Sequence, residues 1–235
     1  MNQIGQEVEK MLRENGVADV GFSRPEDAPE GLGTALSIVV PLLGAVVDEI
    51  DGGPTHTYFH HYRTVNAFID QMLLRAGLML QKEGYRAVPI PASQTLHEGG
   101  KREHIGRYSH KKAAVKAGLG TVGKSSLFLH CVHGPRVRLG TLFTDCPIEP
   151  ATRHAPYICG DCHLCVKACP AGAILGGDWH PGIAREEIFD PHRCNTYMRE
   201  HFMKIGRGAV CGICMCVCPA GARGSCAQNG GKQGR

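Results

Sequence analysis

The first 130 residues of this 235-residue chain contain no cysteine, and all twelve cysteines lie between Cys131 and Cys226. The sequence also lacks a run of about 18 apolar residues, so no membrane span is expected. Its start, Met1–Glu14, is polar and has the pattern of a helix rather than a secretory leader. We therefore expect a cytoplasmic protein, in which so many cysteines are better explained by metal binding than by disulfides.

The uneven distribution of cysteine predicts two domains and a tail. Residues 1–150 alternate helix and strand patterns, which indicates an α+β domain. Residues 151–221 form a short-looped, cysteine-rich second domain that would depend on bound metal for much of its stability. Residues 222–235 are polar and glycine-rich and are predicted to be a disordered tail.

Hydrophobic periodicity gives the elements of the first domain. The predicted helices are Gln3–Glu14, Tyr62–Glu83 and Ser109–Ala117. The predicted strands are Val17–Phe22, Ala35–Leu43, Tyr85–Pro89, Leu127–Leu129 and Arg136–Thr144.

One run of cysteines has the spacing of bacterial ferredoxins. It reads C-x2-C-x2-C-x3-C-P and consists of Cys159, Cys162, Cys165 and Cys169, followed by Pro170. In such a run three thiolates bind one 4Fe–4S cluster, and the fourth binds the other cluster of a two-cluster protein. The spacing therefore predicts a second set of cysteines elsewhere in the chain.

That second set is present near the end of the cysteine-rich region. It consists of Cys211, Cys214 and Cys218-Pro219, with Cys194 upstream. We assign cluster one to Cys159, Cys162, Cys165 and Cys218, and cluster two to Cys194, Cys211, Cys214 and Cys169. Structural zinc is the alternative, but zinc gives no reason for the third cysteine or for the two Cys-Pro pairs. No role is assigned to Cys131, Cys146, Cys216 and Cys226.

A glycine-rich segment, Gly118–Ser125, reads GLGTVGKS and formally matches a nucleotide-binding P-loop. A P-loop follows an apolar strand and opens a helix. Here a basic helical segment precedes the glycines and a strand-like segment follows them. The glycines are better explained by a close backbone approach or by a turn with positive φ.

The same segment is part of a longer resemblance. Ala117–Gly123 and Gly134–Asp145, together with EGYRAVPIPAS at Glu83–Ser93, resemble segments that precede the two-cluster module in epoxyqueuosine reductases and corrinoid-dependent reductive dehalogenases. The resemblance covers roughly Tyr58 to Pro219 in the same order. It implies a nitroreductase-like α+β domain followed by a bacterial-ferredoxin-like domain, with a base-off cobalamin held between them and no histidine ligand from the protein.

The resemblance also implies which residues contact the corrinoid. They are Gly118, Leu119, Gly120, Gly123, Lys124, Ser125 and Ser126. Ser109 and His110, in the basic polar stretch before the glycines, are further candidates for contact with cofactor amides or phosphate, and the alternative for this stretch is a solvated basic face. A reductive step also needs a proton donor, and the candidates are Tyr58, just before the long predicted helix, Tyr62 and His61.

The sequence departs from the related reductases in ways that leave the substrate open. An Asp that acts as proton donor in epoxyqueuosine reductases is replaced in His60-His61-Tyr62-Arg63, and the helical repeats that grip tRNA do not follow, so tRNA is possible but unsupported. We expect an oxidoreductase that carries out a reductive elimination or deoxygenation on a small molecule, with ferredoxin or flavodoxin as electron donor. The alternative is a protein that reduces or handles a corrinoid, free or on a partner protein, and has no organic substrate of its own.

Overall fold

The computed structural model describes residues 2–98, 101–102, 104–150, 152–206 and 208–221. Its α-helices are α1 (Gln3–Glu14), α2 (Gly44–Asp48), α3 (His56–Lys82), α4 (His110–Lys116), α5 (Leu164–Ala168), α6 (Arg185–Ile188), α7 (Pro191–Phe202) and α8 (Ile213–Cys216). Its strands are β1 (Asp19–Ser23), β2 (Thr34–Pro41), β3 (Ala87–Ile90), β4 (His97–Glu98), β5 (Lys101–Arg102), β6 (Gly120–Val122), β7 (Phe128–His130) and β8 (Val137–Thr144). Short 3-10 helices span Met203–Ile205 and Pro219–Gly221.

The largest sheet has the strand order β1-β2-β8-β3. β1 pairs antiparallel with β2, and β3 pairs antiparallel with β8. Seven of the eight residues of β2 are buried, which agrees with the continuous apolar run read from the sequence. Two separate two-stranded sheets, β4-β5 and β6-β7, complete the strand pairing in the described residues.

The long helix α3 packs on this sheet at Gly140. A Cβ atom placed on Gly140 would lie 2.5 Å from Ile69 Cγ2 and 3.0 Å from both Ile38 Cγ1 and Leu73 Cδ1. Ile69, Ile38 and Leu73 are fully buried. Glycine is therefore required here because helix and strand approach more closely than any side chain would allow.

The start of α3 differs from the sequence prediction. The helix begins at His56 rather than Tyr62, because Thr55 caps it: Thr55 Oγ1 accepts a hydrogen bond from Tyr58 N at 3.0 Å. The expectation that Tyr58 precedes the helix is therefore wrong. The residues from His56 to Tyr62 lack a clear apolar stripe, so periodicity alone does not reveal this first turn and a half.

The chain divides by its internal contacts into two units. The first unit comprises Met1–Pro41, Tyr62–Leu119 and Arg138–His154, and the second comprises Leu42–His61, Gly120–Val137 and Ala155–Arg235. The units thus interleave along the sequence, whereas the sequence predicts one division after residue 150. The predicted tail, residues 222–235, lies outside the described residues and includes Cys226.

Candidate metal centre

One group of four thiols forms around the loop that leads into α5. Cys159, Cys162 and Cys165 come from this loop and the start of α5, and Cys218 follows α8. Burial raises the pKa of the Cys218 thiol, and the neighbouring Cys159, Cys165 and Cys162 raise it further. Burial followed by Cys159 and Cys162 likewise raises the pKa of Cys165. The last cysteine of the second sequence set therefore lies with the first three cysteines of the first set.

A second group of four thiols has the reciprocal composition. Burial raises the pKa of Cys194 on α7 to about 12, with further contributions from Cys211, Cys169 and Asp190. Burial also raises the pKa of Cys214, and Cys211, Cys194, Cys169 and, with the smallest effect, Cys165 of the first group add to it. Cys169, at the end of α5, thus lies with the cysteines of the second set.

The exchange of Cys169 and Cys218 follows from the packing of α5 against α8. None of the eleven cysteines from Cys131 to Cys218 forms a disulfide. Among the described residues, no three His, Cys, Asp or Glu side chains converge closely enough to hold a single metal ion. A 4Fe–4S cluster has a different requirement, because each of its four thiolates binds a different iron atom.

The cysteine loops contain glycines with left-handed backbone. Gly160 has φ +45°, and Gly212 has φ +86°. A Cβ atom on Gly212 would lie 2.7 Å from Ile50 Cδ1 and 3.1 Å from the ring of Tyr58. Tyr58 is thus a buried side chain that packs on the backbone between Cys211 and Cys214.

The glycine-rich segment also contacts the first group of thiols. A Cβ atom on Gly123 would lie 3.0 Å from Cys159 Sγ and 2.7 Å from Leu129 Cδ1. Gly123 sits in the turn of the β6-β7 hairpin, where its N–H donates to Leu127 O at 2.9 Å. The close backbone approach that the sequence predicts therefore includes the sulfur of a candidate iron ligand.

A buried lysine in this turn anchors a polar chain beside Cys159. Lys124 is 3% exposed, and its Nζ donates to Asp178 Oδ1. Tyr157 Oη donates to the same carboxylate oxygen at 2.6 Å. The bonds from Lys124 and then Tyr157 lower the pKa of Asp178, while burial, Asp178 and Cys159 raise the pKa of Tyr157. The sequence predicts Lys124 as a corrinoid contact. In the structure its ammonium group is instead paired with the carboxylate of Asp178.

The segment that formally matches a P-loop lies in the β6-β7 hairpin. The match ends in a hairpin turn, closed by a 2.8 Å hydrogen bond from Ser126 N to Gly123 O. The next element is the strand β7 rather than the helix whose N-terminus would bind phosphate. The geometry of this segment therefore gives no support to nucleotide binding.

The remaining predicted corrinoid contacts have local structural roles. Gly118 has φ +69°, and its Cβ would lie 2.4 Å from both the backbone oxygen and the Cβ of Arg153. The Cβ of Gly120 would lie 2.2 Å from Leu129 O. Ser109 Oγ caps α4 by accepting from Lys112 N at 3.4 Å. Leu119 is a buried core side chain, and Ser125 and Ser126 are buried in the hairpin turn.

His110 is held by two hydrogen bonds in the first unit. Its Nδ1 lies 2.9 Å from Thr141 Oγ1, and its Nε2 lies 3.1 Å from Pro91 O. Burial lowers the pKa of His110, so its ring favours the neutral form. These contacts fix the orientation of the ring.

The three candidate proton donors have different surroundings. Tyr58 is buried against Gly212. His61 Nε2 accepts a 3.0 Å hydrogen bond from Leu43 N at the start of α2, and burial lowers its pKa. Tyr62 Oη accepts a hydrogen bond from Arg138 Nη2 at 3.2 Å, and the guanidinium lies 4.4 Å from the ring centroid.

Sequence reasoning missed Arg138 and its partner Asn66. Arg138 Nε donates to Asn66 Oδ1 at 2.9 Å, and Asn66 is buried on α3. A signal existed in the sequence, because Arg138 is a charged residue within the run VRLGTLFT, whose other residues are uncharged. Buried or half-buried charge within such a strand indicates a specific partner.

Comparison with known proteins identifies the cysteine-rich region. Residues 158–221 match the model of the 4Fe–4S double cluster binding domain. The chain carries a 4Fe–4S binding domain. Within the described residues, no helix combines the length and apolarity needed to cross a bilayer.

Known relatives bear the two family names that the sequence suggests. An epoxyqueuosine reductase from Listeria monocytogenes is 34% identical over 117 residues, which cover 48% of this chain and 30% of that protein. A reductive dehalogenase whose structure suggests a mechanism for B12-dependent dehalogenation aligns with TM-score 0.70 and 20% identity, over 90% of this chain and 31% of that one. An epoxyqueuosine reductase solved with an epoxyqueuosine-modified tRNA stem loop aligns with TM-score 0.63 and 18% identity, over 94% of this chain and 66% of that one.

These similarities confirm the predicted resemblance to both families. The match covers less than a third of the Listeria relative's length. The solved structures share the mixed α/β fold with this chain, and the nitroreductase-like assignment of its first part stays a prediction.

Proposed function

We propose that this chain is an iron–sulfur reductase in which two 4Fe–4S clusters deliver electrons to a base-off corrinoid for a reductive elimination or deoxygenation. The observation that supports this proposal is that Cys159, Cys165 and Cys162 raise the pKa of Cys218, whereas Cys211, Cys194 and Cys169 are the main cysteines that raise the pKa of Cys214. This exchange of Cys169 and Cys218 is the ligand pattern of two-cluster ferredoxins.

The thiols suit the clusters in number and in chemistry. Cluster one would be held by Cys159, Cys162, Cys165 and Cys218, and cluster two by Cys194, Cys211, Cys214 and Cys169. Burial raises the pKa of Cys165 and Cys218 in the first group and of Cys194, Cys211 and Cys214 in the second, so without metal these five sulfurs are protonated at neutral pH. Cluster binding would therefore release protons from the protein and stabilise the fold around the loops.

Support for the corrinoid comes from the likeness to the fold of a B12-dependent dehalogenase. The glycines of the Gly118–Gly123 segment do not form an open cradle, because a Cβ atom placed on any of the three would have a protein atom within 2.7 Å. The polar contacts expected from the sequence, Ser109, His110, Ser125 and Ser126, stay predictions. When bound, a corrinoid would supply a strongly reducing cobalt centre.

Tyr62 is the residue that we propose as proton donor. Replacing a carbon–halogen bond by a carbon–hydrogen bond consumes two electrons and one proton and releases a halide ion. The clusters each carry one electron at a time, and a phenol can give the proton. Tyr62 is favoured because its oxygen accepts a hydrogen bond from a cationic side chain. Tyr58 instead packs on a cysteine loop, and His61 uses its Nε2 to accept a hydrogen bond at the start of a helix.

The partners remain those expected from the chemistry. A ferredoxin or flavodoxin would supply electrons to the clusters. The substrate is a small molecule or a corrinoid protein, and tRNA becomes a candidate through the relative that holds a modified tRNA stem loop.

Iron analysis tests the clusters. Anaerobically reconstituted protein should contain about eight irons and a similar amount of acid-labile sulfide per chain. Cys162→Ser should lower the iron content to about half, whereas Cys131→Ser, outside both groups, should leave it unchanged. One zinc with no acid-labile sulfide would refute the cluster assignment.

Corrinoid binding is tested separately on the reconstituted protein. Hydroxocobalamin should be retained through gel filtration, and the reduced complex should give a cob(II)alamin EPR signal without nitrogen superhyperfine splitting. Loss of the corrinoid on the column would refute this part of the proposal and leave the clusters untouched. If cobalt is reduced but neither an aryl halide nor an epoxyqueuosine-modified stem loop reacts, the chain fits the corrinoid-reducing alternative.

A further inference from the structure

Three polar side chains form a hydrogen-bonded chain in the second unit. Lys124 Nζ donates to Asp178 Oδ1, and Tyr157 Oη donates to the same oxygen at 2.6 Å. Tyr157 precedes Cys159 by two residues, and the side chain of Cys159 is a further hydrogen-bonding partner of the Tyr157 hydroxyl. The chain therefore runs from a buried ammonium group to the sulfur of a proposed ligand of cluster one.

The hydroxyl of Tyr157 has two acceptors and one proton. The carboxylate of Asp178 and the sulfur of Cys159 both accept, whereas a phenol donates a single hydrogen bond. The 2.6 Å bond to Asp178 has the length of a charge-assisted bond between a hydroxyl and a carboxylate. In the structure the proton is therefore directed to the carboxylate and not to the sulfur.

Lys124 keeps this carboxylate in place and charged. Its side chain is 3% exposed, whereas that of Asp178 is 63% exposed. The bonds from Lys124 and then from Tyr157 lower the pKa of Asp178. A buried charged pair is often no more stabilising than apolar side chains of the same volume. Stability alone therefore does not account for a buried ammonium group at this position.

The backbone also fixes the position of Asp178, which lies in a loop whose two ends are hydrogen-bonded to each other. Leu175 N donates to Ile188 O at 2.9 Å, and Asp190 N donates to Ala173 O at 2.8 Å. The carboxylate is thus held from its backbone as well as by the ammonium group.

The direction of the Tyr157 hydroxyl matters because hydrogen bonds to ligand sulfurs tune the reduction potential of an iron–sulfur cluster. A reduced cluster carries one more negative charge than the oxidised cluster. A donor at a ligand sulfur stabilises that charge and raises the potential. A hydroxyl that is directed away from the sulfur leaves the potential lower.

We propose that Asp178, held by Lys124, is a positioning residue that directs the hydroxyl of Tyr157 away from Cys159 and so keeps the reduction potential of cluster one low. This inference rests on the proposed binding of cluster one. A low potential suits a protein whose proposed reaction needs strongly reducing electrons.

The test is a redox titration of the reconstituted protein without corrinoid, followed by EPR. Cys162→Ser identifies the signal of cluster one, because it removes that cluster. Asp178→Ala should raise the midpoint potential of cluster one, since the hydroxyl then donates to the sulfur. A hydrogen bond to a charged acceptor shifts an equilibrium by about tenfold or more, which for one electron is about 59 mV. The potential of cluster two should stay unchanged.

Tyr157→Phe separates the effect of the hydroxyl from the effect of charge. Alone it should leave the potential near the wild-type value, and combined with Asp178→Ala it should remove most of the shift. A shift of the same size in the double variant comes from the unpaired ammonium of Lys124 and overturns the inference. A lower potential in Tyr157→Phe alone means that the hydroxyl already donates to the sulfur, and this result overturns it as well.

A matched control removes another negative charge near the same cluster. Asp161 is exposed and lies one residue before Cys162, and Asp161→Ala should shift the potential much less than Asp178→Ala. Equal shifts in the two variants overturn the inference. A merely structural role of Asp178 would lower the unfolding temperature without moving the potential of one cluster.

Iron analysis keeps this inference apart from the proposed function. Asp178→Ala protein with about eight irons and an unshifted midpoint contradicts the role of Asp178 and leaves the clusters in place. Wild-type protein without two EPR-active clusters refutes the cluster assignment itself, and the inference fails with it.

Discussion

The contact between Gly123 and Cys159 predicts the outcome of a single added methyl group. In Gly123→Ala, the new Cβ would lie 3.0 Å from Cys159 Sγ and 2.7 Å from Leu129 Cδ1. Non-bonded carbon atoms prefer separations of about 3.5–4.0 Å, so the neighbours must move by about 0.5–1 Å. Leu129 is buried and cannot turn into solvent, and the sulfur must therefore take part of the displacement.

The expected consequences differ for stability and for iron. Overpacking of a buried contact costs about 1–3 kcal/mol, which should appear as a lower free energy of unfolding by denaturant. Cys159 belongs to the first group of thiols, so the iron content should fall from about eight towards about four, with cluster two retained. Mössbauer spectra of the reconstituted protein count the clusters directly.

A matched control is available in the same chain. A Cβ atom on Gly33 would meet no atom within 4 Å, and its φ is not in the left-handed region. Gly33→Ala should therefore keep full iron content and stability. If Gly123→Ala behaves like Gly33→Ala in both measurements, the hairpin turn does not constrain the cysteine loop, and the reasoning from this contact fails.

Two other perturbations have outcomes that follow from named contacts. Asp178→Asn leaves the buried ammonium of Lys124 without its anion. Thermal unfolding of this variant should therefore occur at a lower temperature than in the wild type. As a control, Asp161→Asn in an exposed loop should leave the unfolding temperature unchanged. His61 has a lowered pKa and accepts from Leu43 N through Nε2, so its contribution to stability is present above the unfolded-state pKa of 6.5 and is lost as pH falls below it. Denaturant unfolding measured from pH 8 to pH 5 should show this loss as a lower free energy of unfolding. If the free energy of unfolding of His61→Gln falls with pH as steeply as that of the wild type, the prediction is contradicted.

The sequence predicts the features that depend on local pattern. Apolar runs and caps locate α1, β2 and α4 to within two residues, because burial of one face sets their periodicity. Cysteine spacing predicts the exchange of Cys169 and Cys218, because one short loop can supply only three ligands to a cluster.

Contacts between distant parts of the chain could not be predicted in this way. Lys124 and Asp178 are 54 residues apart, and Arg138 and Tyr62 are 76 apart. No periodic pattern records which polar side chains will meet across such distances. The glycine segment shows the limit most clearly: its sequence indicates a close approach, and only the structure names Cys159 as a neighbour of Gly123.

The proposed arrangement of the two cysteine groups also couples cluster binding to folding. In the proposed assignment each cluster takes three thiols from one part of the cysteine-rich region and one from the other, so neither cluster would be completed until α5 and α8 are packed together. Burial raises the pKa of Cys165, Cys194, Cys211, Cys214 and Cys218, so in the proposed clusters the deprotonation of these five thiols would be driven by iron binding. The close approach of Gly123 to Cys159 also brings the glycine hairpin against the first cysteine loop, so a change in either segment is expected to disturb the other.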